Sequence, residues 1–268
     1  MTQHIGDEAD QINVEAWSDD ATLKWFRKLE GWSDPGEQAA LSYISISCAG
    51  VPVLDIGVGA GRTVPMLRAL SSDYRAIDFS QGMVDVCRSK YPGLDVTFGD
   101  ARDLSRYGDG SFGLVVFSWN GIDAVDHEDR QVILREVRRV LRPGGIFFFS
   151  THNKSGPGHN EKPWTIRAND FAHLRHLAEV VAYFPRNLRN HRRNRGLDHD
   201  AGEWSMMNAA AHNFGIVIHY ITLRQEFAEL VEAGFQPDPV VFESRRGNRV
   251  RPGDDTRRSW WFHLLATA

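Results

Sequence analysis

Val53-Leu-Asp-Ile-Gly-Val-Gly-Ala-Gly-Arg-Thr63 decides the fold. A short apolar run beginning at Val51 enters a turn built on Gly57, Gly59 and Gly61. A helical pattern follows over 63–70, with Val64, Leu67 and Leu70 on one face. The stretch predicts a strand turning tightly into a helix. Glycines let the backbone approach a ligand closely, and the helix start offers unpaired N–H donors. No Lys-Ser/Thr follows the glycines, which argues against a phosphate-cradling loop. The spacing is Gly-x-Gly-x-Gly, not the Gly-x-Gly-x-x-Gly of a dinucleotide turn. Asp55, two residues before Gly57, would repel a pyrophosphate but suits a cationic amine, directly or through water.

The same alternation continues outward. Residues 74–77 read as a strand ending at Asp78, and 82–90 as a helix stopped by Pro92-Gly93. Residues 94–98 form a third strand, ending at Gly99-Asp100. The unbroken apolar run 112–118 is expected of a strand buried on both faces. A long amphipathic helix over 126–141 stops at Pro143-Gly144-Gly145, and 146–150 is the next strand. Such alternation predicts an α/β fold with a parallel sheet covered by helices on both sides. Its strand ends would meet at one crevice, where Asp78 lies at the distance from the glycines that suits ribose hydroxyls. Asp100 could meet an adenine amino group.

The pattern weakens over 151–221, which is too long for a simple loop and reads as a cap with structure of its own. It returns at Thr222, an N-cap for a helix closed by Gly234, followed by two strands near 240–243 and 259–265. The expected organisation is an N-terminal arm (1–50), a core (51–150), a cap (151–221) and a C-terminal helix with hairpin (222–268).

Composition narrows the function. The chain has 268 residues, with 42% hydrophobic and 25% charged, as in an ordinary globular protein. Its 31 basic and 35 acidic side chains leave a net charge of −4, so global attraction to nucleic acid or anionic lipid is not expected. Cys48 and Cys87 are too few for a disulfide framework or a cysteine zinc site. The acidic start lacks a signal-peptide core, and no apolar run approaches a membrane span. A cytoplasmic protein is the expectation.

Several ordered motifs together resemble the class I S-adenosylmethionine-dependent methyltransferases. The Asp55–Gly61 turn matches the family's first motif. Ala76-Ile-Asp-Phe-Ser-Gln-Gly-Met resembles the second, Gly99-Asp100-Ala101 the third and Phe112-Gly-Leu-Val-Val-Phe-Ser the fourth strand. Leu134-Arg-Glu-Val-Arg-Arg-Val-Leu-Arg-Pro-Gly-Gly and Phe227-Ala-Glu-Leu-Val-Glu-Ala-Gly-Phe resemble later helices of the family. The match covers about 51–150 and 222–268. It implies a Rossmann-like, seven-stranded, mostly parallel sheet with an antiparallel final strand, a cap insertion and an N-terminal helical arm. The implied cofactor is S-adenosyl-L-methionine, with S-adenosyl-L-homocysteine as product. The cofactor-binding set it implies is Asp55, Gly57, Gly59, Gly61, Thr63, Asp78, Phe79, Met83, Asp100, Ala101, Arg102 and Ser118. Asp55 would hold the methionyl amine, Asp78 the ribose and Met83 the adenine side.

The acceptor end is less defined. Ser118-Trp-Asn-Gly-Ile-Asp123 lacks the Asn/Asp-Pro-Pro-aromatic motif of many adenine-N6 and protein-glutamine methyltransferases. Asn120 and Asp123 could line the donor–acceptor junction or cap the following helix. His152, after the fifth strand, could serve as a general base because imidazole titrates near neutrality, or be bound within its loop. These three are the catalytic candidates. Three oxygen ligands are not evident, so no metal is expected. Two arginine clusters, Arg186/Arg189/Arg192/Arg193/Arg195 and Arg245/Arg246/Arg249/Arg251, would suit an anionic acceptor or RNA if they converge, and otherwise form solvated faces. Trp17, Trp25 and Trp32 could close over the crevice or pack the arm on the core. His219 and Tyr220 could face the pocket or end a cap strand. The leading expectation is a methyltransferase acting on a small-molecule N or O acceptor, without membrane or nucleic-acid partners. Its rivals are an RNA or protein methyltransferase using the arginine-rich cap, a non-catalytic S-adenosylmethionine-binding module and, disfavoured by the glycine spacing, a nicotinamide oxidoreductase.

Overall fold

A computed structural model describes residues 2–18, 22, 26–165, 174–251 and 253–268. Trp25 lies outside the described residues. The central sheet comprises β1 (Val53–Ile56), β2 (Tyr74–Asp78), β3 (Asp95–Phe98), β4 (Phe112–Phe117), β5 (Leu141–His152), β9 (Val240–Glu243), β10 (Arg249–Val250) and β11 (Trp261–Thr267). Their order is β10-β9-β11-β5-β4-β1-β2-β3. Strands β1 to β5 pair in parallel, and β11 runs antiparallel between β5 and β9. The sheet thus has eight strands rather than the expected seven. The addition, β10, is a two-residue edge strand paired with β9, too short to leave a periodic signature.

Alternate residues of the buried strands feed two core layers. On one face Leu54, Ile56, Val115, Phe117, Phe147 and Phe149 pack against Ile133, Leu134 and Val137 of α5 (His127–Val140) and Leu230 of α7 (Leu223–Glu232). On the other, Val53, Leu114, Val116 and Phe148 meet α2 (Pro35–Ile44), α3 (Val64–Leu70) and α4 (Gln81–Lys90). Helix α5 ends at Val140, before Pro143, because β5 begins at Leu141. Residues 142–145 fall where its register with β4 shifts, so Pro143-Gly144-Gly145 interrupts a strand instead of stopping a helix.

The region after β5 carries its own sheet, β6 (His199–Asp200), β7 (Trp204–Ala209) and β8 (Ile216–Ile221), all antiparallel, with helix α6 (Leu174–Asn194). An Asn153–Ile221 bridge joins the two sheets. Helix α1 (Thr2–Ser18) packs Ala9 and Ile12 on Met206 and Val217 of the small sheet. Asn13 fixes it there: its amide donates to the carbonyls of Ala124 and Val217 at 2.7 Å and accepts from the Val217 N–H at 3.0 Å.

Candidate active site

The parallel strands order 3-2-1-4-5, so the connections leave β1 in opposite directions. The crevice of such a sheet opens at the carboxyl ends, beside β1 and β4. A cleft lies there, lined by the turn after β1, the ends of β2, β3 and β4, and by Asp10, Asn13, Val14 and Trp17 of α1. The turn requires its glycines. Gly57, Gly59 and Gly61 have φ of +66°, +55° and +86°. A Cβ on Gly57 would lie 2.8 Å from Phe117, and one on Gly61 would lie 2.5 Å from Tyr91.

Asp78 ends β2 with its carboxylate accepting from the Gly59 N–H and the Ser80 N–H, each at 2.8 Å. Burial pushes its acid up to about 6, against those two hydrogen bonds. A carboxylate has about four acceptor sites, so two remain for hydroxyl donors. Asp100 is gripped by Arg102, whose Nη2 lies 2.6 Å from Oδ2. Arg102 also pairs with Asp10 of α1 and, at 2.5 Å, with Asp129 of α5.

Of the expected cofactor set, Gly57, Gly59, Thr63, Asp78, Phe79, Met83, Asp100, Ala101, Arg102 and Ser118 line the cleft. Asp55 and Gly61 do not. Asp55 is fully buried behind the turn, where Oδ2 accepts from Thr63 Oγ1 at 2.5 Å and from the Tyr74 hydroxyl at 2.8 Å. Burial lifts its acid to about 6, opposed by those two donors. The expectation that it holds an amine is corrected: here Asp55 braces the turn from below. Gly61 serves the close packing of the turn on Tyr91.

Asn120, Asp123 and His152 do not line the cofactor cleft, but they form one group beside it. Asp123, with no solvent exposure, accepts from Thr151 Oγ1 at 2.8 Å and from the His152 N–H at 2.6 Å. Its Oδ2 lies 2.8 Å from His152 Nδ1. Asn120 Nδ2 lies 3.3 Å from His152 Nε2. Neither side chain caps a helix: Asp126 caps α5, and Asn120, at the N-cap position of a short 3-10 turn over Gly121–Ala124, makes no side-chain cap bond. Trp119 and Asn120 have φ of +54° and +59°. Two non-glycine left-handed residues in succession mark a backbone held under strain at the end of β4.

Sequence reasoning missed Asp10, Asn13 and Val14 of α1, Arg62 and Trp119. Arg62 sits 5.1 Å over the Trp119 ring and bonds Ser118 Oγ at 2.8 Å. It also forms a buried two-point pair with Glu37 at 2.6 and 2.9 Å. The aromatic row is partly as expected: Trp17 lines the cleft edge-on to Phe26, and Trp32 lies 5.5 Å from Trp119. His219 and Tyr220 belong to β8 rather than to the cleft. The arginine clusters do not share a cavity. Arg186 and Arg193 face a groove beside α1, whereas Arg245, Arg246 and Arg249 line another by the β9–β11 connection.

The comparisons agree with this geometry. Residues 53–145 match a family model described as a methyltransferase domain. A Mycolicibacterium smegmatis protein named "Probable S-adenosylmethionine-dependent methyltransferase" is 28% identical over 164 residues, 59% of each chain. A Mesorhizobium loti S-adenosylmethionine-dependent methyltransferase structure has a TM-score of 0.58 at 19% identity, covering 87% of this chain and 98% of that one. The Burkholderia thailandensis 1,6-didemethyltoxoflavin-N1-methyltransferase, solved with its substrate and S-adenosylhomocysteine, gives 0.56 at 14% identity, covering 95% and 87%. The chain spans 52–59% of the length of the first curated relatives it matches. Residues 53–145 therefore carry a methyltransferase domain, and the chain has the fold of the class I S-adenosylmethionine-dependent methyltransferases. S-adenosylmethionine is the cofactor of that family. No described helix is long and apolar enough to cross a membrane.

Proposed function

We propose that the chain is an S-adenosylmethionine-dependent methyltransferase whose acceptor is a small molecule bearing a proton on the reacting oxygen or nitrogen. The single observation that carries this reading is the Asp123–His152 pair beside the β4 and β5 ends. The cleft chemistry suits the cofactor: a buried acid with spare acceptor sites on β2, an acid on β3, and an apolar wall including Ile56, Met83 and Ile133. Asp78 would hold the ribose, and the Gly57–Gly59 turn would pass close to the methionyl part. When bound, the cofactor supplies an activated methyl group.

The protein's own residues position the acceptor and remove its proton. Asp123 accepts a hydrogen bond from His152 Nδ1–H, which leaves Nε2 as the lone pair of a neutral imidazole, where the Asn120 amide donates until the acceptor's proton takes its place. Nε2 then accepts the acceptor's proton as the methyl bond forms, so no charged product is trapped. Such a positioned base contributes roughly 10²–10⁴ in rate. Alignment of the two reactants supplies much of the remainder. The three-stranded cap and α1 would exclude water and shape the acceptor site. The named methyltransferases among the relatives and neighbours support a small-molecule substrate.

The test is calorimetric titration with S-adenosylhomocysteine, with NAD as comparison, followed by an acceptor screen with labelled methyl groups. The reading expects micromolar or tighter binding of S-adenosylhomocysteine alone. Binding of NAD instead, or of neither, overturns it.

A further inference from the structure

We propose that Arg130 is a positioning residue for His152, acting through Thr151 and Asp123. The inference rests on the reading of His152 as the base and assigns what sets its tautomer.

Every hydrogen-bond partner of the Asp123 carboxylate is a donor, and it lies where water does not reach. A buried carboxylate without a nearby cation is costly. Arg130, on α5 and itself wholly buried, provides one, with Nε 3.6 Å from Asp123 Oδ1. It also reaches Asp123 by a second route. Arg130 Nη2 donates to Thr151 Oγ1 at 3.3 Å, and that hydroxyl donates onward to Asp123 Oδ1 at 2.8 Å. With its lone pair facing Arg130, the Thr151 hydroxyl is oriented to give its hydrogen to Oδ1. That leaves Oδ2 to His152, by both its N–H and its Nδ1.

Arg130 is held in turn from α7. Glu226 Oε2 takes Nη2 at 2.5 Å and Glu229 Oε2 takes Nη1 at 3.2 Å. Gln131 and Gln225 fix Glu229 at 2.5 and 3.0 Å. Burial lifts the Glu226 acid to about 7, partly offset by Arg130. The late helix, 96 to 99 residues from Arg130 in sequence, therefore fixes the guanidinium that orders the dyad.

Long-range 1H–15N NMR of the His152 ring in the full chain at alkaline pH reads the tautomer without cofactor or acceptor. Wild type and Thr151→Ser should show the Nδ1–H form. Thr151→Val and Arg130→Lys should lower the Nδ1–H to Nε2–H ratio by about tenfold, equivalent to ~1.4 kcal/mol. An unchanged ratio in folded Thr151→Val, or an Nε2–H majority in wild type, overturns the inference. Thr151→Val decides the matter if Arg130→Lys does not fold. S-adenosylhomocysteine binding, measured separately, distinguishes failure of this inference from failure of the cofactor reading.

Discussion

Oδ2 of Asp123 and Nδ1 of His152 lie 2.8 Å apart, with the carboxylate sealed from solvent and the imidazole only partly covered. That asymmetry suits an orienting acid and a working base. Asp123→Asn would set an amide N–H or a weaker acceptor against the ring and disturb its tautomer. We expect His152→Gln and Asp123→Asn each to lower the single-turnover rate by about 10²–10⁴. S-adenosylhomocysteine affinity should stay within about twofold, since neither side chain lines the cofactor cleft. An equal loss of cofactor affinity would mean that the pair is structural.

Asp78 predicts a pH dependence of cofactor binding. Its acid is raised to about 6 by burial. Ribose hydroxyls donating to the carboxylate favour its charged form, so the ligand prefers the ionised protein. Affinity for S-adenosylhomocysteine should therefore be full above about pH 7 and fall as pH drops through about 6. Asp78→Asn should weaken binding roughly tenfold at pH 8 and flatten the pH dependence between 5 and 8. A wild-type affinity constant over that range contradicts the assignment. Stability runs the other way: a raised acid favours the fold when protonated, so the Asp78 contribution rises as pH falls from about 6 toward 3.8.

The sheet was legible because local pattern and global position coincide. Continuous apolar runs mark strands buried on both faces, as in β1 and β4, and Gly57 needs a conformation other residues rarely adopt. That Asn120, Asp123 and His152 lie near one another was legible by position, since Asn120 and Asp123 follow β4 and His152 ends β5. What they do to each other was not, because a 2.8 Å contact across 29 residues leaves no spacing rule. Asp55 shows the opposite error. Its place beside the turn was clear, but whether the side chain points into the cleft or beneath it depends on Thr63 and Tyr74 packing behind it. The anchoring of α1 was invisible because Asn13 finds its partners in Ala124 and Val217, 111 and 204 residues away.

Glu37 and Arg62 form a pair with side-chain exposures of 3% and 5% that ties α2 to the turn after β1. Removing one partner of a buried pair strands the other charge. Glu37→Met should cost about 3–5 kcal/mol in urea unfolding. Glu37→Met with Arg62→Met should recover much of that loss, because no charge is then left buried. A double variant as unstable as the sum of the singles would show that the two side chains act independently and not as a coupled pair. Arg62→Met alone should also weaken cofactor binding, since it frees Ser118 and Trp119 at the cleft.

Helix α1 is held over the cleft by two attachments of different kinds. Arg102 reaches Asp10 through an ion pair about a third to a fifth exposed, and exposed pairs are worth only about 0.2–1 kcal/mol. Asn13 makes three hydrogen bonds at 2% exposure, each worth about 1 kcal/mol, and its loss would leave buried backbone groups unpaired. Asn13→Ala should therefore loosen α1 much more than Arg102→Ala. Hydrogen exchange over residues 2–18 should accelerate by about tenfold or more in Asn13→Ala and by severalfold at most in Arg102→Ala. The Arg102 effect should shrink further at high salt, whereas the Asn13 effect should not, because screening acts on exposed charges and not on buried neutral hydrogen bonds. Equal acceleration in the two variants would mean that the acid–arginine contact anchors the helix as firmly as the asparagine does.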